Sequence, residues 1–165
     1  QDDEVLVEVH AASVNFGDGS FVRGKPFVIR LMGAGLRKPK NPILGSDIAG
    51  RVEAVGSKVK QFQPGDEVFG ICNSGAFAEY RCVAEDKLVL KPAGISFEEV
   101  ATVPMAAITA LQGLRDKGQI QPGQKVLIIG ASGGVGTFAV QIARSVRKSL
   151  EDAGITVRQF TGRKG

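Results

Sequence analysis

Several residue types are scarce in this chain of 165 residues, and each scarcity excludes a class of protein. There is no tryptophan, one tyrosine, one histidine and two cysteines. Cys72 and Cys82 form no C-x-x-C pair and no signal-peptide pattern is present, so we expect reduced thiols and a cytoplasmic setting. His10 and the two cysteines have no zinc-like spacing. We therefore expect no metal site, a structural His10, and two buried cysteines that pack as small apolar side chains.

Long apolar runs and concentrated charge are also missing. No segment approaches the ~18 consecutive apolar residues of a membrane span. The net charge of +4 comes from 21 basic and 17 acidic residues, which are scattered along the chain. Aromatic residues make up only 6% of the sequence. We therefore expect neither a membrane span nor a nucleic-acid partner.

Glycine is the residue type in surplus, at 22 of 165 residues. No collagen-like period or low-complexity block accounts for these glycines, so we expect them in tight turns and at close backbone approaches. Apolar residues at 43% and charged residues at 23% indicate a globular protein with a core.

The first 95 residues show the alternation of apolar and polar residues that is typical of short strands. A turn is predicted at residues 63–66, where Pro64 presets φ and Gly65 suits a positive φ. Residues 15–41 are glycine-rich and basic, which predicts a long loop with at most one helical turn. The pattern is typical of an antiparallel barrel or sandwich. The predicted strands span residues 5–9, 48–56, 67–70, 77–83 and 88–90.

The pattern changes to alternating helix and strand from residue 96 onward. Ser96 is followed three residues later by Glu99, which predicts a capping box at a helix start. Pro104 is expected to split that helix in two. The apolar run at residues 125–129 predicts a parallel strand that is buried on both faces. A helix over residues 136–152 and a strand over residues 155–160 would complete a βαβ unit.

The glycine-rich loop at residues 130–136 carries the chemical motif. Its sequence, G-A-S-G-G-V-G, follows a predicted strand and opens a helix, as the dinucleotide-binding fingerprint requires. Glycines let the backbone approach a pyrophosphate, and the helix start offers N–H groups and partial positive charge. A plain tight turn between strand and helix is the alternative. The predicted cofactor-binding residues of this loop are Gly130, Ser132, Gly133, Gly134, Val135 and Gly136.

The end of the second predicted strand bears on the choice of cofactor. NAD-binding proteins place a carboxylate there to hold the ribose 2′-OH. This chain has Arg163 and Lys164 instead, which suit the 2′-phosphate of NADP(H). The alternative is that both residues belong to a solvated basic tail.

Six short motifs follow one another in an order that is typical of one family. They are G-S-D-I-A-G at 45–50, V-G at 55–56, P-G-D-E-V at 64–68, G-A-F-A-E-Y at 75–80, I-T-A-L at 108–111 and the glycine loop at 130–136. Over about residues 3–144 the chain resembles the medium-chain dehydrogenase/reductases, and most closely their zinc-free NADPH:quinone oxidoreductase and enone reductase branch.

The resemblance implies a GroES-like antiparallel barrel at residues 1–95 and part of a Rossmann domain for NADP(H) at residues 96–165. It implies transfer of a hydride from NADPH to a small-molecule electrophile, a quinone or an α,β-unsaturated carbonyl. It also suggests a homodimer. Zinc-dependent relatives carry a His-Glu pair where this chain has Ser46 and Asp47.

The same resemblance implies the remaining site residues. The branch lines its nicotinamide pocket with an Asn-Pro-x-Asp segment, which reads Asn15-Phe16-Gly17-Asp18 here, without the proline. Asn15 would hydrogen-bond the nicotinamide or the substrate; a turn-forming Asn is the alternative. Thr109 matches the Thr of the helix that faces the cofactor, with an ordinary mid-helix Thr as the alternative. Tyr80 is expected to pack rather than to donate a proton.

Family members are about twice as long as this chain, so a truncated Rossmann sheet is expected. Its apolar strand would then lack cover, and we expect residues 125–165 to be unstable in isolation. The second hypothesis for function is therefore a truncated, inactive relative that acts as a binding or interaction module.

Overall fold

The computed structural model describes residues 2–24, 27–28, 42–121 and 124–151, with side chains described as far as residue 145. The chain divides into two compact units, Gln1–Met105 and Ala106–Gly165. Within the described ranges, no helix combines the length and the apolar character needed to cross a membrane.

The first unit is built on a five-stranded antiparallel sheet, as the alternation of apolar residues predicts. The strands lie in the order β4-β1-β2-β3-β5. Strand β4 begins at Tyr80, later than predicted, and the side chain of Tyr80 is half exposed rather than packed in the core. The strands are β1 (Glu4–Ser13), β2 (Asp47–Val55), β3 (Glu67–Ile71), β4 (Tyr80–Ala84) and β5 (Leu88–Leu90).

The larger of two buried apolar clusters in this unit takes alternate residues of each strand, which point to the same side of the sheet, while Ala49 packs with Val100 and Ala101 in a second cluster. Strand β1 contributes Val5 and Val7, which are fully buried, and β2 contributes Ile48 and Val52. The predicted turn between β2 and β3 is confirmed, with Gly65 at a φ of +95°. The other buried members of the cluster are Phe62, Val68, Cys72, Ala76, Val83 and Leu88.

The expectation for the two cysteines is half correct. Cys72 is buried, with 4% of its surface exposed, but Cys82 is exposed. Cys82 lies on the edge strand β4, directly before the buried Val83. Successive residues of a strand face opposite sides, so burial of Val83 directs Cys82 to solvent. His10 stacks on Phe97, with 4.6 Å between the ring centroids.

Residues 16–23 form an α-helix, α1 (Phe16–Arg23), where the sequence predicts a loop with at most one helical turn. Its ends explain the difference. Asn15 stands at the N-cap position, and Gly24 ends the helix in the left-handed conformation, at a φ of 57°. The helix is short and only weakly amphipathic, so no apolar period reveals it. Of the rest of the predicted loop, Gly24, Phe27 and Val28 are described, and residues 25–26 and 29–41 lie outside the described residues.

The predicted capping box and the break at Pro104 are both confirmed. Helix α2 (Phe97–Ala101) begins after Ser96, whose Oγ accepts a hydrogen bond from the Glu99 N–H, while the Glu99 carboxylate accepts one from the Ser96 N–H. Helix α3 starts afresh at Pro104, because proline has no N–H for the helix and suits its first position. Helix α3 spans Pro104–Leu111 and continues as a wider π-helical turn, Gln112–Lys117.

The second unit contains the predicted long helix but not the strand predicted before it. Helix α4 spans Gly134–Glu151. Residues 124–130 form no strand, and Leu127 and Ile129 are 79% and 89% exposed. A strand requires a hydrogen-bonded neighbour. None of the described residues pairs with this segment, and the predicted partner at residues 155–160 lies outside them.

Candidate functional site

A buried carboxylate, Asp47, is the centre of a polar network in the first unit. It is the first residue of β2, and its side chain is fully buried. Its Oδ2 accepts hydrogen bonds from Ser13 Oγ and Asn15 Nδ2, both at 2.8 Å. Its Oδ1 accepts a hydrogen bond from the backbone N–H of Met105 at 2.9 Å. The three donors compensate the desolvation of the charge, which a buried carboxylate requires.

The fold brings these donors together from distant parts of the sequence. Ser13 is the last residue of β1 and lies directly opposite Asp47 in the antiparallel register. Asn15 begins the turn into α1, two residues later. Met105 lies in the first turn of α3, where helix N–H groups lack partners within the helix. Asp47 thus links the end of β1, the start of α1 and the start of α3.

The predicted site residues Asn15 and Asp18 lie together, at the start of α1. Asp18 is 8% exposed. Its Oδ2 accepts a hydrogen bond from the Asn15 backbone N–H at 2.7 Å, and its Oδ1 accepts one from the Gly45 N–H at 3.3 Å. The Asp18 carboxylate therefore holds the backbone of Asn15 and connects α1 to the residues before β2.

The segment before β2 is held by the loop that follows β3. Cys72 and Ala76 donate backbone hydrogen bonds to the carbonyl oxygens of Ser46 and Gly45, at 2.7 and 3.1 Å. Ser74 Oγ donates to the Ile43 carbonyl at 2.6 Å. These bonds hold the backbone of residues 43–46, which leads into Asp47 at the start of β2.

Gly45 and Cys72 are both tightly enclosed in this segment. A Cβ on Gly45 would lie 2.7 Å from the Phe77 ring, so only glycine fits there. Burial raises the pKa of the Cys72 thiol, against the opposing effect of the nearby Arg81. The thiol therefore stays protonated and inert.

Two apolar side chains flank Asn15 on the surface. Val14 is 79% exposed and Phe16 is 92% exposed. Asn15, itself half-buried, is thus hydrogen-bonded to the buried Asp47 and has an exposed apolar residue on either side of it in the sequence.

The glycine-rich loop of the second unit has the tight geometry that its sequence indicates. Gly130 takes a positive φ of 76°, and its carbonyl accepts a hydrogen bond from the Gly133 N–H at 3.0 Å. A Cβ on Gly136 would lie 2.1 Å from that same carbonyl oxygen. The Thr137 N–H and hydroxyl both donate to the Gly133 carbonyl, at 2.8 and 2.9 Å. The loop thus folds closely over the first turn of α4.

The remaining loop residues predicted to bind the cofactor are accessible. Ser132, Gly133, Gly134 and Val135 are exposed, while Gly136 is buried beneath them. Helix α3 lies beside the start of α4, since a Cβ on Gly134 would approach the Ala106 side chain to 4.0 Å. Thr109 is one turn further along α3 and exposed. The exposed backbone at a helix start suits a phosphate group.

Arg163 and Lys164, predicted for the 2′-phosphate, lie outside the described residues. Asp47 and Ser13 are the site residues that the sequence analysis does not single out. A carboxylate at the head of an apolar strand is the available signal for Asp47, because an unpaired charge is rarely fully buried. Among the described residues, no group of three or more His, Cys, Asp or Glu side chains is arranged to hold a metal ion.

Comparison with known proteins identifies the family of this chain. The family described as the alcohol dehydrogenase GroES-like domain matches residues 1–93. A quinone oxidoreductase of Sus scrofa is 40% identical over 147 residues, which cover 88% of this chain and 42% of that protein. A 2-methylene-furan-3-one reductase of Solanum lycopersicum is 36% identical over 155 residues, which cover 88% of this chain and 38% of that protein.

A solved structure of Escherichia coli quinone oxidoreductase complexed with NADPH superposes with a TM-score of 0.73 at 31% identity. The match covers 94% of this chain and 43% of that one. The chain thus spans less than half the length of these relatives. It belongs to the alcohol dehydrogenase GroES-like family, within the quinone oxidoreductase branch of the medium-chain dehydrogenase/reductases.

Proposed function

We propose that the whole protein that carries this sequence reduces a quinone or an α,β-unsaturated carbonyl with NADPH, without zinc. The observation that carries the proposal is the loop at residues 130–136, in which buried Gly136 lies against the Gly130 carbonyl beneath an exposed helix start. The quinone oxidoreductases and the furanone reductase among the relatives support the substrate class.

The loop residues fit the phosphates of a dinucleotide. The space occupied by the Gly130 carbonyl leaves no room for a side chain at position 136, so the loop can fold tightly over the helix. The exposed backbone of Gly133, Gly134 and Val135 would hold the pyrophosphate, with Ser132 as a further donor. Thr109 would contact the cofactor from α3, and Arg163 and Lys164 would hold the 2′-phosphate. NADPH, when bound, supplies the hydride.

Asn15 and Asp18 would serve the reacting end of the site. We assign Asn15 to contact with the nicotinamide or the substrate, and Asp18 to holding the Asn15 backbone through its Oδ2. The exposed Val14 and Phe16 would offer apolar surface to a flat, apolar electrophile. Orientation, rather than acid–base chemistry, is then the contribution of the protein.

Independence from zinc is supported by the partners of Asp47. Its two oxygens already accept three hydrogen bonds, from Ser13, Asn15 and Met105. To bind a zinc ion, Asp47 would have to give up these hydrogen bonds. That would leave buried donors unpaired, which costs free energy. Ser46, in the place of the histidine of zinc-dependent relatives, is a weak ligand for zinc.

We also propose a catalytic domain at residues 1–95 and a cofactor domain from residue 96 onward, with a homodimer as the working assembly. The competing proposal is an inactive relative that acts as a binding module. For the 165-residue chain alone, the exposed Leu127 and Ile129 favour the binding module, because this apolar segment is available to a partner.

The experiment compares NADPH oxidation by the intact polypeptide, with a quinone and with an enone as acceptor, before and after treatment with a zinc chelator. Gly133→Asp places a carboxylate at the proposed phosphate site and should abolish turnover. Gly113→Asp is the matched control, because a side chain at this exposed helical position meets nothing within 4 Å. Turnover that survives the chelator supports the proposal. Absence of both turnover and NADPH binding in the intact protein refutes it and leaves the binding module.

A further inference from the structure

We propose that helix α1 and the residues just after it form a surface that binds an anionic lipid bilayer at the level of its headgroups. This α1 surface consists of Phe21, Val22 and Arg23 of the helix and of Phe27 and Val28 beyond it. The contact is with the face of a membrane, which agrees with the lack of a membrane-spanning helix among the described residues. The inference goes beyond the proposed function and does not depend on it.

Helix α1 buries its acidic side chain and exposes its apolar ones. Asp18 is 8% exposed, and its carboxylate accepts hydrogen bonds from the backbone N–H groups of Asn15 and Gly45. Phe21 and Val22 are 49% and 73% exposed. A helix on the surface of a soluble protein normally directs its charged residues outward and its apolar residues inward. The reverse arrangement leaves apolar area in water, which indicates contact with another surface.

The apolar exposure continues past the end of the helix. Gly24 ends α1 in the left-handed conformation, and its N–H donates to the Phe21 carbonyl at 3.2 Å. Phe27 and Val28 follow, and they are 62% and 50% exposed. Four large apolar side chains are thus exposed within eight residues of the chain.

The charge of the surrounding sequence has one sign. Residues 19–46 contain six basic residues and no acidic one. The other residues of the chain include 15 basic and 17 acidic ones, so the net charge of +4 arises entirely from residues 19–46. Arg23, the last residue of α1, is an exposed member of this basic set. Basic residues beside exposed apolar side chains complement a surface that is both negative and apolar.

A lipid surface suits this combination better than a protein or a nucleic acid does. A bilayer accepts individual apolar side chains between its headgroups and pairs basic side chains with its phosphates, so it needs no fitted groove. A specific protein partner needs a larger, closely packed patch than one eight-residue helix provides. A nucleic acid is held mainly by basic residues and would gain little from exposed valine side chains.

The first test measures binding of the intact polypeptide to lipid vesicles by co-sedimentation, without NADPH or an electron acceptor. Vesicles of phosphatidylglycerol and phosphatidylcholine in equal parts should bind it at least about tenfold more tightly than vesicles of phosphatidylcholine alone. Added salt should weaken this binding, because it screens the charges. Equal affinity for both kinds of vesicle, or no binding to either, overturns the inference.

The second test removes apolar contacts. Phe21→Ser combined with Val22→Ser should weaken binding to the anionic vesicles at least about tenfold. Val89→Ser combined with Leu90→Ser is the matched control, because these neighbouring residues of β5 are 53% and 57% exposed and lie outside the α1 surface. The control should leave the affinity unchanged, and thermal unfolding checks that both double variants are folded. Equal affinities of the two folded variants overturn the inference.

The third test removes the exposed charge of α1. Arg23→Gln should weaken binding to the anionic vesicles about fivefold, which corresponds to the ~1 kcal/mol that a basic residue contributes near an anionic membrane. Lys87→Gln changes the net charge by the same amount at an exposed residue elsewhere, and should change the affinity by less than about twofold. Equal effects would show that only the overall charge matters, and would overturn the role of the α1 surface.

The fourth test reports whether an apolar side chain of α1 enters the lipid. The 165 residues contain no tryptophan, so Phe21→Trp adds a fluorophore at the α1 surface. Its emission, taken as the difference from the unmodified protein, should move to shorter wavelength on anionic vesicles and be quenched by brominated lipid. Val89→Trp should show neither change. Emission from Phe21→Trp that stays the same with and without vesicles overturns the inference.

An acidic macromolecule is the competing partner, and polyglutamate is its probe. Polyglutamate supplied at the same concentration of negative charge as the vesicles should leave most of the protein bound to them. Displacement of the protein by polyglutamate overturns the inference in favour of an acidic protein. Because these measurements use neither cofactor nor substrate, the proposed reductase function can fail while lipid binding is observed, and the reverse.

Discussion

A methyl group on Gly136 would lie 2.1 Å from the carbonyl oxygen of Gly130 and 2.8 Å from Cα of Ala131. Both neighbours are backbone atoms, so no side-chain rotation relieves the overlap. Gly136→Ala should therefore distort the loop and weaken NADPH binding by the intact protein at least about tenfold, or ~1.4 kcal/mol. Fluorescence titration with NADPH measures this. Gly113→Ala, where a Cβ meets nothing, should leave the affinity unchanged; unchanged affinity in Gly136→Ala would contradict the loop geometry.

The sheet also contains a glycine position at which a side chain would overlap the backbone. A Cβ on Gly50 of β2 would lie 1.9 Å from the Glu8 carbonyl oxygen of β1. Gly50→Ala must separate the two strands, and we expect it to lower the free energy of unfolding by about 3 kcal/mol or more. Gly65→Ala meets open space and should cost only about 1–2 kcal/mol, through its positive φ. Urea denaturation compares them, and equal losses would contradict this ranking.

The two thiols should react at very different rates. Cys82 is exposed, whereas Cys72 is 4% exposed and burial raises the pKa of its thiol. The thiolate is the reactive form, so a disulfide reagent should modify Cys82 at least about tenfold faster than Cys72. Cys82→Ser should remove the fast phase, and Cys72→Ser should retain it. A fast phase that survives in Cys82→Ser would show that Cys72 is accessible.

Glu67 should make the first unit more stable at neutral pH than in acid. Lys91 Nζ lies 3.0 Å from its carboxylate, and Arg51 is at the same distance. The hydrogen bond from Lys91 lowers the pKa of Glu67 below its ordinary value of 4.5. Its stabilising contribution is therefore complete above pH 4.5 and is lost as the pH falls through the lowered folded-state pKa.

Denaturation of Glu67→Gln at several pH values tests this prediction. The variant should be less stable than the unmodified chain at pH 7, and the difference should shrink in acid. Exposed Glu53→Gln removes one acidic charge from β2 and serves as the control. A difference that stays constant into strong acid would contradict the assigned partners.

Local sequence signals account for much of the fold. Alternating apolar residues predict the strands, and the structure confirms all five, with changed ends for several. The Ser96–Glu99 pair and Pro104 correctly place the ends of α2 and α3. These signals work because a cap, a proline or a two-residue alternation acts over a few residues.

Features that depend on distant neighbours were predicted less well. The run at residues 125–129 has the composition of a buried strand but forms none, because no described segment pairs with it. Cysteine is a residue type that is often buried, but Cys82 lies on the outer face of an edge strand. The residue type alone does not decide which face of a strand a side chain occupies; the register decides which face is buried.

The candidate site shows the same division. The sequence and its family resemblance selected Asn15, Asp18, Thr109 and the glycine loop as site residues, and their roles stay predictions. The network around Asp47 was not foreseen, because its donors Ser13, Asn15 and Met105 lie 34, 32 and 58 residues away.

The sequence by itself determined the antiparallel strands of the first unit, the helix starts and the tight glycine loop, because each depends on residues close to one another along the chain. Only the tertiary structure decided that the charge of Asp47 is buried and that it faces the amide of Asn15. A buried carboxylate requires donors around it, and here those donors are set by strand register and helix packing rather than by local sequence.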